Sequence, residues 1–203
     1  MGGGEWKDME EIIERRSIRK YKKDVIDRKD IESILQAGIY APSAKNRQPW
    51  KYYVYTDEKK EKLLDCMEKG LIRESGEKKL LPQSQYGLPD AFHTLEIMRE
   101  APVLIMIDNT NGTSPYLGID TDRRVSEICD TLSIGASVQN ILLTATELGY
   151  GTLWIANTCF AYPELVEFTG MKGQLVGAIS LGIAAESPAQ RPRKDFAEVV
   201  KFC

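Results

Sequence analysis

The sequence holds a single histidine, His93, and its four cysteines, Cys66, Cys129, Cys159 and Cys203, are scattered without a CxxC pair. Zinc ligation needs clustered thiolates or imidazoles, and a Ser/His or Cys/His machine needs a base beside its nucleophile, so both have little to work with. A cationic surplus is missing too. The 27 Lys+Arg against 30 Asp+Glu leave a net charge of −3, which argues against a general nucleic-acid or anionic-membrane binder. There is no P-loop motif, and Gly2-Gly3-Gly4 is not followed by the strand, turn and helix of a dinucleotide fingerprint, so nucleotide hydrolases and Rossmann dehydrogenases lack their signatures. The longest uncharged stretch, Thr131 to Thr146, contains five polar residues from Ser133 to Thr144 and falls short of the roughly 20 apolar residues that cross a bilayer. Met1 to Glu10 lacks the apolar run of about 7–15 residues of a secretory signal, so a cytoplasmic, reduced protein is expected. Asp120-x-Asp122 lies at a helix start, where acids are expected, and no metal site is assigned to it.

What remains is a chain of 203 residues, 42% hydrophobic and 28% charged, sufficient for one domain over residues 1–203 with a sizeable core. Trp6, Met9, Ile12 and Ile13 recur at helical spacing and lead into Arg15-Arg16. Asp27 is placed to cap a second helix through Ile31, Ile34, Leu35 and Ile39, which Pro42 ends. Lys51 to Tyr55 suits a strand. Thr56 is expected to cap a third helix with Leu63, Leu64 and Met67 inward and Gly70 near its end. Residues 71–100, carrying Gly76, Pro82, Gly87 and Pro89, read as loop with a short helix near Phe92 to Met98, and as a mobile lid. Val103 to Ile107 is a continuous apolar run, the pattern of a strand covered on both faces.

A long helix is expected from about Asp120 to Gly149. Val125, Ile128, Cys129, Leu132 and Ala136 form one apolar face and Ile134, Val138, Ile141, Ala145 and Leu148 another, and a second apolar face suggests burial against a partner subunit. Thr152 to Ala156 and Leu175 to Ile183 read as strands with a helix, Pro163 to Thr169, between them. Strands separated by helices, without repeat or linker, make the fold class α+β.

Four features could carry chemistry. Six cations fall within residues 15–23, and the spacing Arg15-Arg16-Ser17-x-Arg19 is fit for a phosphate monoester, because guanidinium forks bind phosphate bidentately and a serine can add a bond. A solvated helix end would look the same. Arg191, Arg193 and Lys194 form a second basic group between Pro188 and Pro192 and beyond, either an exposed tail or the other half of one phosphate site. The turn from Ala41 to Trp50, rich in Ser, Asn and Gln, suits recognition of a hydrogen-bonding heterocycle or polyol, or an Asx-type turn that satisfies only itself. Gly149-Tyr150-Gly151-Thr152 permits close approach of a flat ligand to the main chain, although helix termination explains Gly149 alone. With no obvious acid, base or nucleophile, chemistry carried by a bound cofactor is favoured.

These four features, in this order and spacing, resemble the FMN-dependent nitroreductase family over most of the chain. The resemblance rests on Arg15-Arg16-Ser17-Ile18-Arg19, Ala41-Pro42-Ser43 with Asn46 and Gln48-Pro49-Trp50, Ala136 to Asn140, Gly149 to Ile155, and Arg191-Pro192-Arg193-Lys194. It implies a three-layer α+β sandwich, a mixed or antiparallel sheet flanked by helices, and an intertwined homodimer with two shared FMN sites. Arg15, Ser17, Arg191 and Arg193 would hold phosphate. Arg16 and Arg19 would reach phosphate, ribityl or the pyrimidine edge, and Arg19 would tune the flavin. Pro42, Ser43 and Asn46, with Gln48, would come from the partner subunit, and Gly151 and Thr152 would lie beside the isoalloxazine. Some relatives carry a second serine where this chain has Ala44. The implied reaction passes hydride from NADH or NADPH to FMN and then two electrons to a small acceptor such as a nitroaromatic or quinone, with no protein side chain acting as a covalent catalyst. Related flavin chemistry such as reductive dehalogenation, or a non-enzymatic flavin-binding regulator, are the alternatives.

Overall fold

The computed structural model describes residues 10–203, so the Trp6 and Met9 positions of the first helical pattern lie outside the described residues. The elements are α1 (Glu10–Glu14), α2 (Arg28–Ile39), β1 (Trp50–Thr56), α3 (Asp57–Ser75), α4 (Leu88–Glu100), β2 (Val103–Asn109), α5 (Thr121–Glu147), β3 (Gly151–Ile155), α6 (Tyr162–Thr169), β4 (Gln174–Gly182) and α7 (Phe196–Val199). The four strands form one antiparallel sheet in the order β1-β2-β4-β3.

Every residue of β2 is buried, as its unbroken apolar run requires of a strand with helices on both faces. Side chains alternate across a strand, so the run is divided between two cores. Leu104 and Met106 pack with Leu63, Leu64, Met67, Leu95 and Met98 from α3 and α4, while Val103, Ile105 and Ile107 pack with Ile34, Ile134, Val138 and Ile141 from α2 and α5. Each such fully buried aliphatic side chain contributes on the order of 1.5–3 kcal/mol through area removed from water. The result is the expected three-layer α+β sandwich.

Helix starts follow the polar signals. The Asp27 carboxylate accepts from the Lys29 N–H at 2.9 Å, and that of Asp120 from the Arg123 N–H at 2.9 Å, which gives this acid a capping role. Thr56 departs from expectation, since its side chain makes no capping bond. Gly70 does not end α3, which continues five residues further to Ser75. A Cβ at Gly70 would lie 2.5 Å from Ala161 Cα, so the glycine serves the close approach of α3 to the segment 157–161.

Residues 71–100 hold more helix than expected, and the helix expected near Phe92 to Met98 lies within α4. Leu71 closes the core face of α3, and α4 starts at Leu88 and buries Leu88, Ala91, Leu95, Ile97 and Met98. Pro89 stands in the first turn of α4, where its missing N–H has no helical partner to lose. Only residues 76–87 connect the two helices, and they are tethered. The fully buried Glu74 carboxylate accepts from the Leu80 N–H at 2.7 Å, the Leu81 N–H at 3.2 Å and Gln85 Nε2 at 3.3 Å, and pairs with Arg73. Burial opposes the ionised form of Glu74, but these donors outweigh it and hold its carboxyl below the ordinary value.

On α5, Ile134, Val138, Ile141 and Ala145 are buried, and Val125, Ile128 and Leu132 are exposed at 55%, 52% and 70%. Leu148, expected on the same face as Ile134 to Ala145, is 43% exposed just past the helix end. No described helix is long and apolar enough to cross a membrane.

Candidate functional site

The two basic groups, separated by nearly the whole chain, meet. After α1 the chain runs beside β3, with the Ile18 N–H donating to the Thr152 carbonyl at 2.9 Å in a parallel bridge between Ser17 and Thr152. Beyond this bridge the Lys22 N–H donates to the Ile183 carbonyl and the Ala185 N–H to the Lys20 carbonyl, each at 2.9 Å. Main-chain pairing therefore ties residues 17–22 to the chain that leaves β4. Tyr21 secures the arrangement by burying its ring, and its hydroxyl donates to the Ile18 carbonyl at 2.8 Å.

Arg15, Arg16, Ser17 and Arg19 consequently line one concavity of about 80 Å³ together with Pro188, Ala189, Gln190, Arg191 and Arg193. Among the described residues no carboxylate forms an ion pair with any of these arginines. Glu186 Oε1 accepts from the Arg19 main-chain N–H at 2.5 Å. Burial first, then the Arg193 and Arg16 cations, depress the Arg15 guanidinium below its ordinary value. Cations gathered without counter-charge repel one another, and a bound anion removes that repulsion. Side-chain bonds to main-chain carbonyls aim the group: Arg16 Nη1 donates to Arg15 O at 2.9 Å, Arg19 Nη1 to Ser17 O at 3.1 Å, and Arg193 Nη1 to Arg191 O at 2.9 Å.

The polar turn before β1 lies elsewhere in the same chain and does not line this concavity. Lys45, Asn46 and Gln48 have φ of 54°, 53° and 48°, the left-handed region that costs a non-glycine residue about 1 kcal/mol or more. Three anchors hold the turn. The Ser43 hydroxyl accepts from the Gln48 N–H at 3.0 Å, the Ala44 N–H donates to Ser133 Oγ at 3.2 Å, and Arg47 Nε donates to the buried Asp130 carboxylate at 2.8 Å. Gln48 Nε2 also reaches Asn46 Oδ1 at 3.2 Å. Pro42, Asn46 and Gln48 are left exposed, and Ser43 half-buried, beside α5. Sequence reasoning missed the structural role of Arg47; an Arg between Asn46 and Gln48 in a turn carries no sign of a partner on a helix 83 residues away.

Gly151 and Thr152 are both buried. A Cβ at Gly151 would lie 2.8 Å from Ile18 Cγ1, so in this chain the missing side chain makes room for Ile18. The Thr152 hydroxyl is buried without a hydrogen-bond partner, directly across from Ser17. Gln190 and Pro188 were not singled out as lining residues, having only their neighbours' charge to mark them.

Residues 12–183 match the model of the nitroreductase family. The chain is 30% identical over 195 residues to an Archaeoglobus fulgidus protein named NADH dehydrogenase/NAD(P)H nitroreductase, covering 92% of this chain and 87% of the relative. Its fold superposes with a TM-score of 0.72 on a BluB-like flavoprotein from Clostridium difficile, 25% identical over 99% of this chain and all of the other. It superposes with a TM-score of 0.68 on a nitroreductase from Desulfovibrio desulfuricans solved in complex with FMN, 24% identical and covering 94% and 93% of the two chains. The match over most of the chain, together with the sandwich and the joined cationic groups, establishes that this protein belongs to the nitroreductase family.

Proposed function

We propose that this protein is an FMN-dependent NAD(P)H oxidoreductase that reduces small nitroaromatic, quinone or similar acceptors by two-electron ping-pong transfer. The observation that carries the reading is the union of Arg15, Arg16, Ser17 and Arg19 with Arg191 and Arg193 in one concavity. Its donors suit a phosphate monoester, and the relative bound to FMN and the relative named for NAD(P)H reduction supply the chemical context. The donor set fits FMN on a second point as well, since the orphaned Thr152 hydroxyl stands beside Ser17 where a polar cofactor group can satisfy it.

When bound, FMN supplies the redox chemistry, accepting hydride from NADH or NADPH and delivering electrons to the acceptor. The chain supplies binding and orientation. Arg15, Ser17, Arg191 and Arg193 would hold the phosphate, and Arg16 and Arg19 would serve the phosphate, polyol or pyrimidine edge. Arg19 would supply a fixed positive charge there, favouring the anionic form of a bound flavin. Gly151 and Thr152 line the ring along β3.

The turn holding Pro42, Ser43, Asn46 and Gln48 completes the site from a second copy of the chain. Its separation from the concavity within one protomer supports this, as does the exposed Val125, Ile128 and Leu132 stripe on α5, the helix against which the turn is anchored. The acting unit is then a homodimer with two shared sites. The test is direct. Purified protein is yellow and bleaches under anaerobic NADH or NADPH, and an acceptor screen with both nicotinamides ranks its substrates. A colourless protein that cannot be reconstituted with FMN defeats the proposal.

A further inference from the structure

A second cavity, of about 650 Å³, opens at the other end of the sheet, where the chain leaves β2 and enters β4, and shares no residue with the arginine concavity. The eight steps along β4, at about 3.4 Å each, put the two sites on the order of 27 Å apart. Its volume is that of a site for an intact small molecule, roughly 300–1,000 Å³. We propose that this cavity binds a flat aromatic carboxylate.

Three observations specify the ligand. Tyr116 and Tyr162 meet edge to face, their centroids 5.6 Å apart at 73°, and with Val166 and Met171 form an apolar wall of the kind that holds a ring. Tyr162 is 5% exposed, yet its hydroxyl has no hydrogen-bond partner although it lies near the Leu175 N–H and the Ser114 hydroxyl. A buried phenol costs about 1–3 kcal/mol when left unpaired, which a ligand's polar group would relieve. Finally, Arg123 and Lys172 stand at the rim and make no ion pair among the described residues, so the charge wanted at the mouth is negative. At Gly173, which lines the cavity, a Cβ would lie 2.0 Å from the Asn109 carbonyl oxygen and 2.5 Å from Asp108 Oδ1, so the glycine lets this stretch pack against the end of β2.

The proposal is independent of the flavin reading. It is tested by isothermal titration of the purified protein, with whatever flavin it retains, using 2-naphthoate and its uncharged analogue 2-naphthamide as probes. One naphthoate per chain is expected, with the amide at least tenfold weaker. The double variant Arg123→Gln/Lys172→Gln should weaken naphthoate at least tenfold while the melting temperature stays unchanged, and Val166→Trp, which fills the cavity, should abolish it. Absence of saturable binding, equal affinity in the Arg123/Lys172 double variant, or loss of naphthoate binding in an Arg15→Gln/Arg193→Gln variant would each overturn the proposal. Should Val166→Trp fail to fold, the surface double variant decides alone.

Discussion

Replacing Arg193 by Gln should act with opposite sign on the ligand-free and the FMN-loaded protein. Arg193 is exposed, and it is the neighbouring cation that does most to depress Arg15. In the ligand-free protein the two guanidinium groups repel one another, and measured interactions between exposed charges amount to about 0.2–1 kcal/mol after solvent screening. Removing one cation should therefore raise stability by a few tenths of a kcal/mol, an effect that disappears at ~1 M salt, where the Debye length is about 3 Å. With phosphate bound the sign reverses. A charge-assisted hydrogen bond contributes about 1.5–3 kcal/mol, and taking the low end for an exposed arginine gives about 1.5 kcal/mol, roughly tenfold in FMN affinity. Quenching of flavin fluorescence on titration into apoprotein measures the affinity, and thermal unfolding at low and high salt measures the stability. Unchanged FMN affinity, or a ligand-free variant that is less stable at low salt, would refute the account of the concavity as an anion cradle strained by its own charge.

Gly70→Ala should destabilise by about 1–3 kcal/mol in chemical denaturation, because the added methyl meets the Ala161 backbone; the helix-propensity gain of up to about 1 kcal/mol predicts the opposite sign in an open site. Glu74→Gln should cost about 2–3 kcal/mol and expose residues 76–87 to limited proteolysis, since a buried carboxylate that holds four donors is lost. Because the folded carboxyl titrates below its unfolded value of 4.5, the stability it contributes is present above that pH and lost as pH falls through the lower folded value. Wild type should therefore show an acid-dependent loss of stability that Glu74→Gln reduces, and identical pH profiles would contradict this. Leu132→Asp should yield a monomer by sedimentation with weakened FMN retention; a dimer of unchanged affinity would remove the α5 stripe from the interface.

The elements legible in the sequence were those whose pattern is set by their own neighbours. The apolar run at Val103–Ile107, the Asp27 cap and the start of α5 at the acids Asp120 and Asp122 all stand where the local pattern put them. In 71–100 the helix expected near Phe92 to Met98 is present as part of α4, but Gly76, Pro82, Gly87 and Pro89 suggest more loop than there is, since proline is compatible with the first turn of a helix. From the sequence, Gly70 marks the end of a helix and Gly151 permits close approach of a flat ligand. Gly70 instead admits the segment around Ala161 while α3 continues, and Gly151 also admits Ile18; a sequence does not state which segment will approach.

Residue chemistry and spacing by themselves determined the α+β class, the family resemblance and the two cationic groups fit for phosphate. Tertiary structure alone decided that those groups form one concavity. Like charges do not collect spontaneously. Arg15 and Arg193 are brought together by main-chain pairing of residues 17–22 with Thr152, Ile183 and Ala185, and by the burial of Tyr21 and Ile18 beside it. Backbone hydrogen bonding and apolar burial supply the free energy that holds the cations in place, and both terms depend on contacts between segments far apart in the chain.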